Sequence, residues 1–250
     1  CEFLVYDETL INSMVLGNLQ PTNVIMNMGQ TRWYDKVQSD KTYVIGLDPS
    51  MGTGGDFAAI QIIELPTYKQ IGEWRHNTTA IPGQIRVLKD ICDFISAKTA
   101  TDNNIYWSIE NNSIGEAALL VINDFGEENI PGLFVSEPIR KGHVRKFRKG
   151  FNTTHGSKIT TCSKLKVLIE NNKFSINSGA LISELKNFVA TGSSYRAKVG
   201  ETDDLISSLL LTIRIISVLR DWDPRIYNTF KSIDEAEDYT PPMPIFISTN

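Results

Sequence analysis

The chain has 250 residues, 41% hydrophobic and 22% charged, with a formal net charge of -4. That length and apolar content suffice for a full core without covalent staples, and the ordinary charge balance offers no global attraction to a polyanion, so any nucleic-acid contact must come from local clustering. Cys1, Cys92 and Cys162 lie far apart with no C-x-x-C pair, which argues against a zinc site and a disulfide framework and for a reducing, cytosolic setting. The longest apolar run, 205–219, is interrupted by Ser207, Ser208, Thr212, Arg214 and Ser217, so it reads as a buried helix and not a membrane span. No signal peptide is visible. The first residue is cysteine and not methionine, as expected of an excised domain.

Residues 1–40 hold a short apolar helix or turn near 10–19, then Pro21 and a polar stretch with Trp33 and Tyr34, and read as a connector packing on the core. Two β-rich runs, about 43–49 and 57–64, flank a glycine-rich turn, and Asp48 ends the first of them. A third strand, 70–76, completes an antiparallel meander after Pro66. Pro82-Gly83 then starts a helix whose apolar positions Ile85, Leu88, Ile91, Cys92 and Ile95 cover one face of the sheet. A buried strand over 105–110 ends in Glu110, and Asn111, Asn112 and Ser113 cap the helix that follows. Further elements are a short strand at 133–135, a helix over 160–171, a strand at 174–176, a helix over 180–189 and a final helix entered through Asp203-Asp204. The expected division is a connector over 1–40, one α/β domain over 41–222 and a proline-rich, acidic tail over 223–250.

Between residues 140 and 166 the composition changes. Arg140, Lys141, Arg145, Lys146, Arg148, Lys149, Lys158, Lys164 and Lys166 occur there with no acid among them, interleaved with Phe147, Phe151 and glycines. Such segregated charge is a local field suited to phosphates, although a solvated helix face or loop has the same composition. Three acids meanwhile stand at element ends: Asp48 and Glu110 at the carboxyl ends of strands, where ligands gather in open α/β sheets, and Asp203 or Asp204 at a helix start. Helix capping alone could explain the last pair. Clustered carboxylates repel unless cations neutralise them, and oxygen ligands without histidine or thiolate suit Mg2+ or Mn2+. Two such ions roughly 4 Å apart activate water and stabilise the leaving oxygen of a phosphodiester, so metal-assisted hydrolysis of a nucleic-acid backbone is the expected chemistry.

The order of hairpin with Asp, strand with Glu, basic segment and Asp-Asp-Leu helix resembles the ribonuclease-H-like fold of retroviral-integrase and RuvC-type nucleases. Cys1-Glu2-Phe3-Leu4, Gly46-Leu47-Asp48-Pro49, Gly52-Thr53-Gly54-Gly55-Asp56, Ile109-Glu110 and Thr202-Asp203-Asp204-Leu205 together are similar to the nuclease domain of the large terminase subunit of T-even-type tailed phages. The resemblance implies an α/β fold with a mixed central sheet, an antiparallel meander plus parallel strands, flanked by helices. It also implies an endonuclease that cuts concatemeric double-stranded viral DNA when packaging begins and ends, preceded in the same polypeptide by an ATPase domain. This chain has no G-x-x-x-x-G-K-[ST] loop of its own. Further implications are a portal and a small terminase subunit as partners, no membrane, and action in the cytoplasm of an infected bacterium rather than in the mature virion. Asp48, Glu110 and Asp204 match the metal-binding acids and Asp56 the further acid past the turn; Asp203 stays open as the alternative to Asp204. RuvC-type enzymes often carry another acid one helical turn later, where this chain has Ser207. The basic residues Arg140, Lys141, Arg145, Lys146, Arg148, Lys149 and Lys158 would line the DNA groove and read backbone, not bases.

Two other readings compete. An actin or sugar-kinase type nucleotide domain would use Asp48 and Gly52-Thr53-Gly54 as a phosphate hairpin but needs a second aspartate-glycine loop, which does not follow Glu110. A non-catalytic DNA-binding or docking module would use the acids only as caps and turn residues.

Overall fold

The computed structural model describes residues 2–17, 20–141 and 144–222, so the expected tail over 223–250 lies outside the described residues. The chain opens with β1 (Glu2–Leu4), α1 (Glu8–Gly17) and β2 (Thr31–Trp33), followed by the meander β3 (Thr42–Asp48), β4 (Ala58–Leu65) and β5 (Lys69–His76). Next come α2 (Ile81–Thr99), β6 (Ile105–Ile109), α3 (Ser113–Phe125) and β7 (Leu133–Phe134). The second half holds β8 (Glu137–Lys141), β9 (Val144–Arg148), α4 (His155–Glu170), α5 (Gly179–Lys186), β10 (Phe188–Thr191), β11 (Ser194–Ala197) and α6 (Asp204–Trp222).

Six strands form the central sheet in the order β2-β5-β4-β3-β6-β7. The meander pairs are antiparallel, whereas β6 runs parallel to β3 and β7 parallel to β6. Side chains alternate between the two faces. Tyr43, Ile45 and Leu47 pack with Ile85, Leu88, Ile91 and Ile95 of α2, while Val44, Ala59, Ile63 and Tyr106 pack with Leu205, Leu209 and Ile213 of α6. Helices therefore cover both faces, and β4 is buried along its whole length. Among the described residues no helix is long and apolar enough to cross a membrane.

Differences from expectation cluster outside this sheet. Residues 174–176 make no strand of their own, only a parallel bridge of Ser175 to Lys69. The expected helix over 180–189 ends at Lys186, because Asn187 closes it and the chain re-enters as β10. The tight turn at Gly192, φ 59°, folds β10 against β11, and β1 adds to the other edge of this hairpin as a three-stranded sheet. The N-terminal stretch thus supplies a strand to each sheet, β1 to the small one and β2 to the edge of the large one. The basic segment divides: Arg140, Lys141, Arg145, Lys146 and Arg148 lie on β8 and β9, which form a separate antiparallel hairpin, whereas Lys158, Lys164 and Lys166 lie on α4.

α6 approaches β3 so closely that it needs a residue without a side chain at Gly46. A Cβ there would stand 3.1 Å from both the Ser208 carbonyl oxygen and Leu211 Cγ. The buried Ser208 hydroxyl donates to the Gly46 carbonyl at 2.8 Å across the same contact. Helix and strand are therefore fixed in register, with Asp204 one helical turn before Ser208 and Asp48 two residues after Gly46. Gly46→Ala should destabilise the domain by about 1–3 kcal/mol through overpacking, read as a lower urea midpoint with unchanged slope; an unchanged midpoint would mean that α6 shifts without strain.

Candidate active site

Asp48 is the last residue of β3, and its alternation with Val44 and Gly46 turns it to the α6 face. Glu110 directly follows β6, in step with Tyr106 and Ser108 on that same face. The parallel register sets Leu47 beside Ile109, and the Glu110 N–H donates to the Leu47 carbonyl at 2.9 Å, so the two acids are next-strand neighbours. The Glu110 carboxyl is close enough to Asp48 to act on its ionisation. Glu110 is held from three sides by backbone. The Asn111 N–H donates to the Phe151 carbonyl (2.7 Å), and the Phe151 N–H to the Ile109 carbonyl (2.9 Å). On the helix side, Asn112 Oδ1 caps α3 at Ile114 and Gly115, and a Cβ on Gly115 would come within 2.1 Å of the Glu110 carbonyl oxygen. Only glycine lets α3 start this close.

Asp48 is 9% exposed. Burial, then the charge and hydrogen bond of Glu110, then Asp204 and Asp203, push its carboxyl well above the ordinary range. Asp204, in the first turn of α6, is pushed up to about 6 by burial, then by Asp203 and Asp56, against the backbone N–H of Phe57 and the charge of Arg75. Asp203 faces elsewhere: its carboxylate pairs with Lys158 at 3.4 Å. Asp56 is exposed on the glycine-rich turn. Among the described residues, no three acids close into a complete cation-binding group. The arrangement is a tight pair, Asp48 and Glu110, flanked by Asp204, with Asp203 and Asp56 further out.

The basic residues divide. The side chains of Arg140, Lys141, Arg145 and Lys146 lie outside the described residues, although their backbones pair in the β8–β9 hairpin. Arg148 is exposed at its end. Lys149 has a counter-ion in Glu127 and lies over the Phe134 ring at 5.0 Å, and Lys158 faces Asp203. The expected absence of acids near this segment therefore holds along the chain but not in space. Asn111 Nδ2 donates to the Lys149 carbonyl at 2.9 Å, which ties the hairpin's exit to the residue after Glu110.

Two groups near the site escaped the sequence reading. Arg214, eleven residues into α6, bonds Glu137 at 2.6 Å and covers the Phe151 ring at 5.1 Å, close enough for Glu110 to act on its charge. Glu184 of α5 is 5% exposed, lies near Asp204, and is pushed up to about 7 by burial. Nothing in its local sequence, an acid within an apolar helix, separates it from a surface glutamate.

Buried acids with raised values hold their protons to higher pH when folded than when unfolded, so ionising them weakens the fold as pH rises. For Asp204 that loss spans about pH 4 to 6, and for Asp48 it extends upward from the ordinary carboxylate range. Asp48→Asn should therefore melt above the wild type at pH 7 in EDTA, with the gap closing toward pH 4, in parallel thermal melts. A variant that melts lower at pH 7 would show that the Asp48 charge is compensated within the fold.

The whole of this arrangement falls within a recognised sequence family. A family model described as a terminase RNase H-like domain matches residues 45–214, from β3 through most of α6. Among solved structures, the large terminase nuclease from thermophilic phage G20c with bound magnesium is similar over 82% of this chain and 95% of its own, at 19% identity and a TM-score of 0.59. The Thermus phage P74-26 large terminase nuclease domain covers 82% and 92% at 17% identity and a TM-score of 0.52. The human cytomegalovirus terminase nuclease domain covers 90% and 98% at 11% identity and a TM-score of 0.52. The six-stranded mixed sheet with helices on both faces is the ribonuclease-H-like fold, and the chain belongs to the terminase RNase H-like domain family.

Proposed function

We propose that this domain is a divalent-metal-dependent endonuclease that hydrolyses phosphodiester bonds of double-stranded viral DNA concatemers as genome packaging starts and stops. The observation that carries the reading is the meeting of the Asp48 and Glu110 carboxyls at the carboxyl ends of two parallel strands, with Asp204 beside them. Glu110, Asp204 and Asp203 all raise the cost of charging Asp48 there, an arrangement that favours a bound cation over an empty pocket. The donor set fits Mg2+ or Mn2+, being all carboxylate oxygen. Asp48 and Glu110 would hold the ion, with Asp204 the third ligand and Asp203 and Asp56 nearby acids available to a second. When bound, the metal supplies a Lewis acid for the phosphate and a lowered water pKa. Structures of the phage G20c large terminase nuclease carry magnesium, cobalt or zinc, in keeping with a site open to divalent ions.

The protein's own part is positional. The sheet fixes Asp48 and the α6 contact fixes Asp204, so the carboxylates need no rearrangement as substrate arrives. Arg148, Lys149 and the other cations of the β8–β9 hairpin would meet DNA phosphates beside Glu110, with Lys149 exchanging its exposed Glu127 partner for phosphate. In this reading residues 1–40 connect the domain, 41–222, to an ATPase domain of the same polypeptide. Portal and small terminase subunit are its partners, in the cytoplasm of the infected cell.

Supercoiled plasmid with Mg2+ or Mn2+ tests the chemistry. Wild-type protein should nick and linearise it, while Asp48→Asn and Glu110→Gln should each fall below roughly one-hundredth of that rate, beyond the usual effect of losing an outer-shell partner. Undiminished cleavage in both variants would reject the assignment. For the interface, Arg148→Ala and Lys149→Ala should each lower the slope of log affinity against log salt by about 0.9 per lost phosphate contact, by fluorescence anisotropy with duplex DNA. An unaltered slope would give these cations a structural role instead.

A further inference from the structure

Asp204 is gripped on both sides by a single buried carboxylate from another helix. Glu184 Oε1 accepts the Thr202 hydroxyl at 2.9 Å, and Glu184 Oε2 accepts the Ile206 backbone N–H at 3.0 Å. Those contacts fall two residues before and two residues after Asp204. The Ile206 N–H belongs to the first turn of α6, where helical N–H groups have no partner within the helix, so Glu184 caps α6 from α5. The cap has a counter-ion: Arg75 Nη1 lies 3.5 Å from Glu184 Oε1.

Arg75 closes the arrangement into a ring. Its guanidinium covers the Phe57 ring at 4.7 Å, and the Phe57 backbone N–H is near enough to the Asp204 carboxylate to favour its charge. Pairing registers set Arg75 opposite Ala59 and Ala59 opposite Asp48. Cross-strand partners share a face, so Arg75 and Asp48 lie on one rung of the sheet, both toward α6. Around Asp204, then, runs a closed path from Glu184 through Arg75 and Phe57 back to the first turn of α6.

We propose that Glu184 and Arg75 are positioning residues for cation binding, locking the first turn of α6 so that the Asp204 carboxylate is presented to the Asp48–Glu110 pair. This rests on the reading of that pair as a metal site. A helix cap with only a structural role would change the melting temperature and leave the affinity of the folded protein for metal untouched. A positioning role changes that affinity. Arg75 is also 32% exposed in its side chain, which makes a direct phosphate contact the competing role, one that would act on DNA and not on metal.

Titration calorimetry with MnCl2 and the full 250-residue chain, without DNA, separates these cases. Glu184→Ala and Arg75→Ala should weaken Mn2+ binding by about 10–100-fold, with circular dichroism still native at the titration temperature and the KM for plasmid unchanged. Arg75→Lys, which keeps the charge but loses the planar fork, should recover part of the loss. If Glu184→Ala fails to fold, Glu184→Gln serves, since it keeps an acceptor for Ile206 while removing the charge that faces Arg75. Unchanged Mn2+ affinity in the folded variants overturns the proposal, as does a raised plasmid KM with unaltered Mn2+ affinity in Arg75→Ala. Wild-type protein that binds no Mn2+ overturns the metal reading itself, a result distinct from both.

Discussion

The close approach of α6 to β3 is the constraint from which the site follows. One missing side chain, at Gly46, and one hydroxyl, on Ser208, set the distance and the rotation of a helix that is buried along most of its length. Because side chains one turn apart share a helix face, the Ser208 contact also determines where Asp204 lies. The parallel pairing of β6 with β3 does the same for Glu110 from the other side. No loop conformation has to be maintained for these acids to meet, since each stands at the end of, or one residue beyond, an element of the core.

That geometry has an electrostatic cost, and the surrounding residues offset it unevenly. Lys158 meets Asp203, Arg75 meets Glu184 and acts on Asp204, and Arg214 meets Glu137 within reach of Glu110's charge. Each cation is attached to an acid other than Asp48. Asp48, the most enclosed of the group, instead faces acids, with Glu110, Asp204 and Asp203 all acting against its ionisation. Stability would improve if the centre were neutral, a cost that the proposed cation supplied from solution would offset.

The sheet could be read from the chain because its signals are local. Apolar runs, the glycine-rich turn after Asp48, Pro82 at the start of α2 and Asn112 before α3 each act within a few residues, so the strand ends bearing Asp48 and Glu110 were recognisable without any tertiary information. The choice between Asp203 and Asp204 was not. Adjacent residues at a helix start differ by about a quarter turn, and which of them meets the sheet depends on a contact at Gly46 more than 150 positions away. The β8–β9 hairpin was hidden by its own composition, since a strand rich in arginine and lysine has no apolar alternation to show. Glu184 was invisible for the opposite reason: its apolar neighbours are those of any packed helix, and its partners Arg75, Thr202 and Ile206 come from other elements. Lys158 shows the same limit, with its acid 45 positions further along.

The decisive question is whether these carboxylates bind a divalent cation at all. Crystals of the domain soaked in MnCl2, with diffraction recorded at the manganese absorption edge, answer it without reference to activity. An anomalous peak between the carboxylates of Asp48 and Glu110, with Asp204 turned toward it, is the predicted result. Density that stays empty there at saturating manganese would contradict it.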